Sequence, residues 1–197
     1  MFTKFYLSIM LVIFLGLCNV SFVNAARISI TDEPVDNIHK RIASGAMSFS
    51  KNTLVFTKLI STGVAKTSND IMGNQRKIIL NVGQFGVKNN PNVKGMIGYG
   101  TDEQGKLYYV NINANSRNNS KGASQAIGMI MPPALDSVGL SDSEMMDLMD
   151  IISVKAKKQP EKKTITASVW SSKKSKYIVV LYGVSSLVIM ANDEKIE

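Results

Sequence analysis

Cysteine is almost absent from this chain: its 197 residues hold one, Cys18. That residue lies in an N-terminal stretch with the order of a secretory signal. Met1-Phe2-Thr3-Lys4 is a short positive start, Phe5 to Leu17 is an almost unbroken apolar run, and Val23-Asn24-Ala25 precedes a cut expected after Ala25. A spanning helix needs about 20 apolar residues, so a run of about 13 suits a signal core better than an anchor. A lipid-attachment site would want a small residue before Cys18, and Leu17 stands there. The expected organisation is a signal peptide over 1–25 and one domain over 26–197, with no transmembrane anchor after cleavage and a periplasmic or secreted location. Loss of Cys18 leaves a mature chain that forms no disulfide, thiolate metal site, redox sensor or cysteine nucleophile. About 170 residues are enough to build an apolar core in their place.

Histidine is equally scarce. The single one, His39, sits beside Lys40 and Arg41 on the first expected helix, which points to a solvated polar face. It has no second His, no Cys and no spaced His-Glu pattern for zinc. No Gly-x-Ser-x-Gly turn is present to offer a nucleophile to it. Gly95, Gly98 and Gly100 have the wrong spacing for a phosphate loop and lack a following Lys-Ser/Thr, so they suit a closely packed strand. No cofactor and no metal are expected. Met145, Met146 and Met149 are the nearest approach to a copper-binding methionine cluster and read as helix filler.

Charge is present and uneven. The chain carries a formal +8. Lys155, Lys157, Lys158, Lys162, Lys163, Lys173, Lys174 and Lys176 face only Glu161 in their stretch. Outside the cytoplasm such a cluster points to an envelope protein or an anionic envelope component, and nucleic acid is an unlikely partner. Lysine dominates over arginine, so the charge is diffuse and not a shaped phosphate clamp. The expected binding residues are Lys162, Lys163, Lys173, Lys174 and Lys176, on a basic C-terminal hairpin. The expected function is non-enzymatic binding or scaffolding. The alternative is a hydrolase of envelope polysaccharide using two carboxylates from Asp102, Glu103, Asp147 and Asp150.

The spacing predicts an α+β domain, an antiparallel sheet of hairpins packed on two or three helices. Ile28 and Ile30 alternate as a short strand. Asp32-Glu33-Pro34 opens a helix over 33–48 with Val35, Ile38, Ile42, Ala46 and Phe49 on one face. Residues 52–64 fit neither period, 67–76 read as a turn, 77–85 as a strand and 87–93 as a loop. The strongest hairpin runs from Gly95 through the turn at 101–105 to Ala114. Residues 115–122 read as a loop and 123–131 as a short helix stopped by Pro132-Pro133. Ser141-Asp-Ser-Glu144 is a capping box for a helix over 142–156, with Leu140 and Met145 as a staple and Met145, Leu148, Met149 and Ile152 as its buried stripe. Strands over 164–170, 176–182 and 187–191 complete the chain. The apolar stretch 177–191 is too short and too rich in Gly and Ser to span a membrane. There is no internal repeat.

Gly98-Tyr99-Gly100, followed by a segment with Ala123 and Ala126 and a strand–turn–strand carrying Tyr177-Ile-Val-Val-Leu, resembles bacterial exported lipoprotein and flagellar-assembly domains. The lipid-bearing cysteine of such proteins has no well-placed counterpart, and no functional residue is carried over from them.

Overall fold

The computed structural model describes residues 28–69, 75–116 and 120–196. The expected signal peptide over 1–25 lies outside them, as do Ala26 and Arg27. Within them the chain is an α+β domain: an eight-stranded antiparallel sheet with three helices. In chain order the elements are α1 (Val35–Phe49), β1 (Leu54–Phe56), β2 (Ile60–Asn69), β3 (Gln75–Val87), β4 (Asn90–Thr101), β5 (Leu107–Ser116), α2 (Ser120–Ser137), α3 (Asp142–Lys158), β6 (Thr164–Ser171), β7 (Lys176–Gly183) and β8 (Ser186–Asn192). The sheet runs β1-β3-β4-β5-β8-β7-β6, and β2 also pairs with the outer edge of β3. Helices α2 and α3 carry the chain from central β5 to edge strand β6, and β7 and β8 then return so that β8 pairs with β5.

Strand register explains the core. Ile97, Ile112, Leu187, Tyr182 and Ile165 stand opposite one another across five strands. Tyr99, Val110, Ile189, Val180 and Ala167 make the next inward row. Side chains alternate across a sheet, so both rows face one side. There they meet Ile38, Ile42 and Ala46 of α1, Ile127, Ile130 and Leu135 of α2, and Leu148 and Ile152 of α3. A smaller cluster holds Ile78, Tyr108, Val179 and Met190.

The expected hairpin is present as β4–β5, and the capping box of α3 forms in full. Glu144 N–H donates to Ser141 Oγ at 3.4 Å, and Ser141 N–H donates to Glu144 Oε2 at 2.8 Å. Met149, expected in the buried stripe, is 42% exposed, and Leu148 and Ile152 carry the packing. The expected strand near Ile28 is reduced to two isolated bridges, Ile28 to Ala191 and Thr31 to Leu107.

Three local expectations give way to tertiary packing. Helix α2 does not stop before Pro132 and runs on to Ser137. Two prolines inside a helix remove two N–H donors and ordinarily break it, but the turn beyond them buries Ala134, Leu135 and Val138 completely or nearly so. Pro133 also seats against α1 where Gly45 leaves room: a Cβ there would lie 2.7 Å from Pro133 Cβ. The loop expected over 87–93 is a tight turn, with Val87 paired to Asn90. The register shifts between Gly86 and Val87, so Pro91 falls in a bulge where no ladder N–H is required. The segment that fits neither period holds β1 and the start of β2, and the turn expected over 67–76 is strand at 67–69 and at 75–76, with 70–74 outside the described residues.

Gly95 and Gly100 lie inside β4, under the rings of Phe85 and Tyr109. A Cβ on Gly95 would sit 2.1 Å from Phe85 Cζ and 2.4 Å from the backbone oxygen of Asn113. The nearest atoms to a Cβ on Gly100 all belong to the Tyr109 ring, the closest at 2.1 Å. A side chain can swing away and a paired strand cannot. Gly95→Ala is therefore expected to cost about 3 kcal/mol or more and Gly100→Ala less, with overpacking of about 1–3 kcal/mol the usual scale; urea titration of both variants measures the order. Ser141→Ala is expected to cost about 1 kcal/mol in the same assay.

Candidate functional site

The turn between α3 and β6 and the turn between β6 and β7 both carry lysines, and β6 separates them. Lys162 and Lys163 precede Thr164, which pairs with Gly183 at one end of the hairpin. Lys173, Lys174 and Lys176 lie at the other end, where Ser171 pairs with Lys176. Eight residues at about 3.3 Å each put roughly 25 Å between the two groups. The five expected binding lysines thus do not form one cluster.

The two ends also differ in what their lysines do. Lys174 Nζ donates to Thr31 Oγ1 at 3.3 Å, and its alkyl stem lies over Gly139. Lys176 Nζ donates to the Ser29 carbonyl at 2.8 Å. Burial, then the charge of Lys174, lowers the Lys176 pKa, while Asp32 opposes the shift. Both lysines tie the segment 29–31 to the β6–β7 turn. Glu33, paired with Arg41, feels Lys174 and Lys173 as well, so acids already balance this end.

At the opposite end the last turn of α3 and the start of β6 converge. Lys162 N–H donates to the Gln159 carbonyl at 3.0 Å, folding the chain back on itself. Lys157, Lys158, Lys162 and Lys163 are all exposed there, with Glu161 the acid in the same turn. Lys155 differs from them: its Nζ donates to the Thr166 carbonyl at 3.0 Å and covers part of edge strand β6.

Of the four carboxylates considered for hydrolysis, Asp102 is engaged inside its own turn. Its Oδ1 accepts from Gln104 and Lys106 N–H at 3.0 and 2.9 Å, and its Oδ2 accepts from Tyr108 OH at 3.3 Å. Glu103 pairs with Lys77 at 2.9 Å. Asp147 and Asp150 are exposed on α3. Among the described residues, no group of three His, Cys, Asp or Glu could hold a metal ion, and no helix is long and apolar enough to cross a membrane.

Glu144 does more than cap α3. Its Oε1 accepts from Ser172 N–H at 2.8 Å and from Ser172 Oγ at 2.6 Å, joining the helix start to the β6–β7 turn. Desolvation pushes its carboxyl upward, but the bonds from Ser172 and Ser141 outweigh it and hold the pKa at about 2.

His39 is not solvated. It is 6% exposed, packed edge-on against Phe56 and Tyr99 beneath Gly83, whose missing Cβ would meet His39 Cε1 at 2.7 Å. The nitrogen Nε2 lies 2.9 Å from the Thr57 carbonyl, which only accepts, so Nε2 carries the proton. The other nitrogen, Nδ1, lies 2.9 Å from Tyr99 OH and accepts from it. The ring is therefore neutral with a fixed tautomer. Burial lowers its pKa against the opposing pull of the Thr57 bond and Asp36, and burial raises that of Tyr99. Helical spacing held the clue: His39 follows Ile38 on the flank of the stripe that continues at Ile42 and Ala46. Its charged neighbours masked it.

Both groups make stability pH-dependent in the same sense. A folded-state pKa below the unfolded value gives stability that is complete above the unfolded value and lost as pH falls. His39 is expected to erode stability below about pH 6.5, and Glu144 to add a second loss below about pH 4.5. In a pH series of urea midpoints, His39→Gln should abolish the first loss and Glu144→Gln the second. No protein-family model matches this chain, and no curated protein or solved structure matches it.

Proposed function

We propose that this is an exported, non-enzymatic protein that binds or scaffolds an anionic envelope component through Lys157, Lys158, Lys162 and Lys163. The observation that carries the reading is the division of labour among the lysines. Lys174 and Lys176 spend their ammonium groups on the segment 29–31, whereas these four stand exposed around one turn. Lysines on flexible stems, without an arginine fork, suit a repeating or diffuse anion better than a single shaped phosphate. The C-terminal end of α3 adds its partial negative charge beneath them, which favours cations at this position without cancelling their outward field.

A soluble polyanion, dextran sulfate, tests the surface. Replacing Lys157, Lys158, Lys162 and Lys163 together by Gln is expected to weaken binding by about tenfold or more at low salt, with the difference shrinking as salt rises. Lys173→Gln should change it by less than about twofold. Equal loss from both variants, or no loss from the fourfold one, would remove the reading.

A further inference from the structure

Between Asn37 and Thr101 the chain holds a single acidic residue, Asp70, against nine lysines and arginines. Within the same stretch, exposed apolar side chains collect over twelve residues: Phe49 is 62% exposed, Val55 40% and Ile60 59%. We propose that this β1–β2 edge of the sheet is a docking surface for an anionic lipid bilayer.

Val55, Ile60 and Lys94 lie on the sheet face turned away from α1, and Phe49 reaches the same edge from the helix side, where α1 packs against β1. Phe49 continues the stripe of Ile38, Ile42 and Ala46, yet it overhangs the end of the core and meets water. Lys51 follows it in a left-handed turn. Lys88 N–H donates to the Thr53 carbonyl at 2.9 Å, so the β3–β4 turn lies alongside. Val55, Gly86 and Lys94 form one row across β1, β3 and β4, and they therefore share a face. Ile60 stands opposite Val82, an even number of residues from Gly86, on that same face. Lys58 lies between Val55 and Ile60 in the connecting segment and is exposed.

A bilayer fits this pattern better than a protein does. Protein hot spots concentrate apolar groups in a desolvated centre with polar residues around it. Here the apolar groups are spaced out and alternate with Lys51, Lys58, Lys88 and Lys94. A fluid headgroup layer accepts such spacing: apolar tips enter the acyl boundary while lysine stems carry their charges to the phosphates. Neither contribution is strong alone. Together they supply the two signals that stable peripheral binding requires.

Sedimentation with phosphatidylcholine vesicles, with and without phosphatidylglycerol, tests this on protein carrying one common N-terminus. Each lysine near an anionic surface is worth about fivefold in partitioning, so Lys51, Lys58, Lys88 and Lys94 replaced by Gln should lose about 600-fold on anionic vesicles if all four reach the headgroups. Phe49→Ser with Ile60→Ser should lose the binding that survives high salt. Ile60→Trp, which keeps an apolar residue at an exposed site, should bind more tightly and shift its emission to the blue. The Gln variant at Lys157, Lys158, Lys162 and Lys163 should bind these vesicles within about twofold of wild type, so this proposal and the polyanion surface fail separately. The proposal is overturned if that C-terminal variant alone abolishes vesicle binding, or if the β1–β2 lysine variant keeps it. It is also overturned if Ile60→Trp shows no blue shift, or if light scattering shows that Phe49 and Ile60 instead hold two protein copies together.

Discussion

The bond between His39 and Tyr99 sets the position of the first helix, and the remaining layers follow from that position. Tyr99 occupies the inward row of β4 and is completely buried, so its hydroxyl must find a partner there. His39 supplies the acceptor from α1 and donates its Nε2–H to the Thr57 carbonyl, in the link between β1 and β2. One imidazole thereby joins a central strand, a helix and the edge of the sheet. Fixing α1 places Gly45 where Pro133 of α2 can seat, and α2 in turn lies over β5 and β8. A cysteine-free domain has no covalent device for this task. A satisfied buried polar chain gives the core a specific register that apolar contacts alone define less sharply.

Much of the architecture was legible in the sequence where local and global signals agree. The alternation in β5, the turn before it and the Ser141–Glu144 box each favour one local structure, and packing asks for the same one. The α+β class and the sheet of hairpins follow from those elements. The misread places are those where packing overrides local preference. Pro132-Pro133 reads as a stop, yet the turn beyond them buries three apolar residues. Pro91 reads as loop because a bulge is a property of two strands, invisible in one. His39 reads as polar because Lys40 and Arg41 flank it, although helical neighbours lie three and four residues away and not one.

The lysines expected to bind show the same limit in another form. Closeness along the chain made Lys162 to Lys176 look like one basic hairpin. A hairpin returns its chain only after its full length, so lysines at its two ends stand far apart. Helix α3 instead delivers Lys157 and Lys158 to the side of Lys162 and Lys163, because the chain folds back at Gln159. Nor does charge count reveal which ammonium groups are spoken for. Lys155, Lys174 and Lys176 are hydrogen-bonded to carbonyl or hydroxyl oxygens within the fold, and such partners lie up to 147 residues away.

Sheet order gives the two basic surfaces a fixed relation. The β1–β2 edge and β6 are the opposite ends of a path of seven strands. At about 4.8 Å per strand, the edges stand roughly 30 Å apart. Charges that far apart exceed a Debye length of about 8 Å several times over, so neither surface steers ligands to the other. A molecule seated on a bilayer by Phe49, Val55 and Ile60 would carry Lys157, Lys158, Lys162 and Lys163 on the edge remote from that seat. That arrangement suits a spacer between two anionic layers better than a single deep attachment. The absence of a shared clamp then follows from how the sheet is ordered, because its order holds the two basic edges at opposite ends of the path.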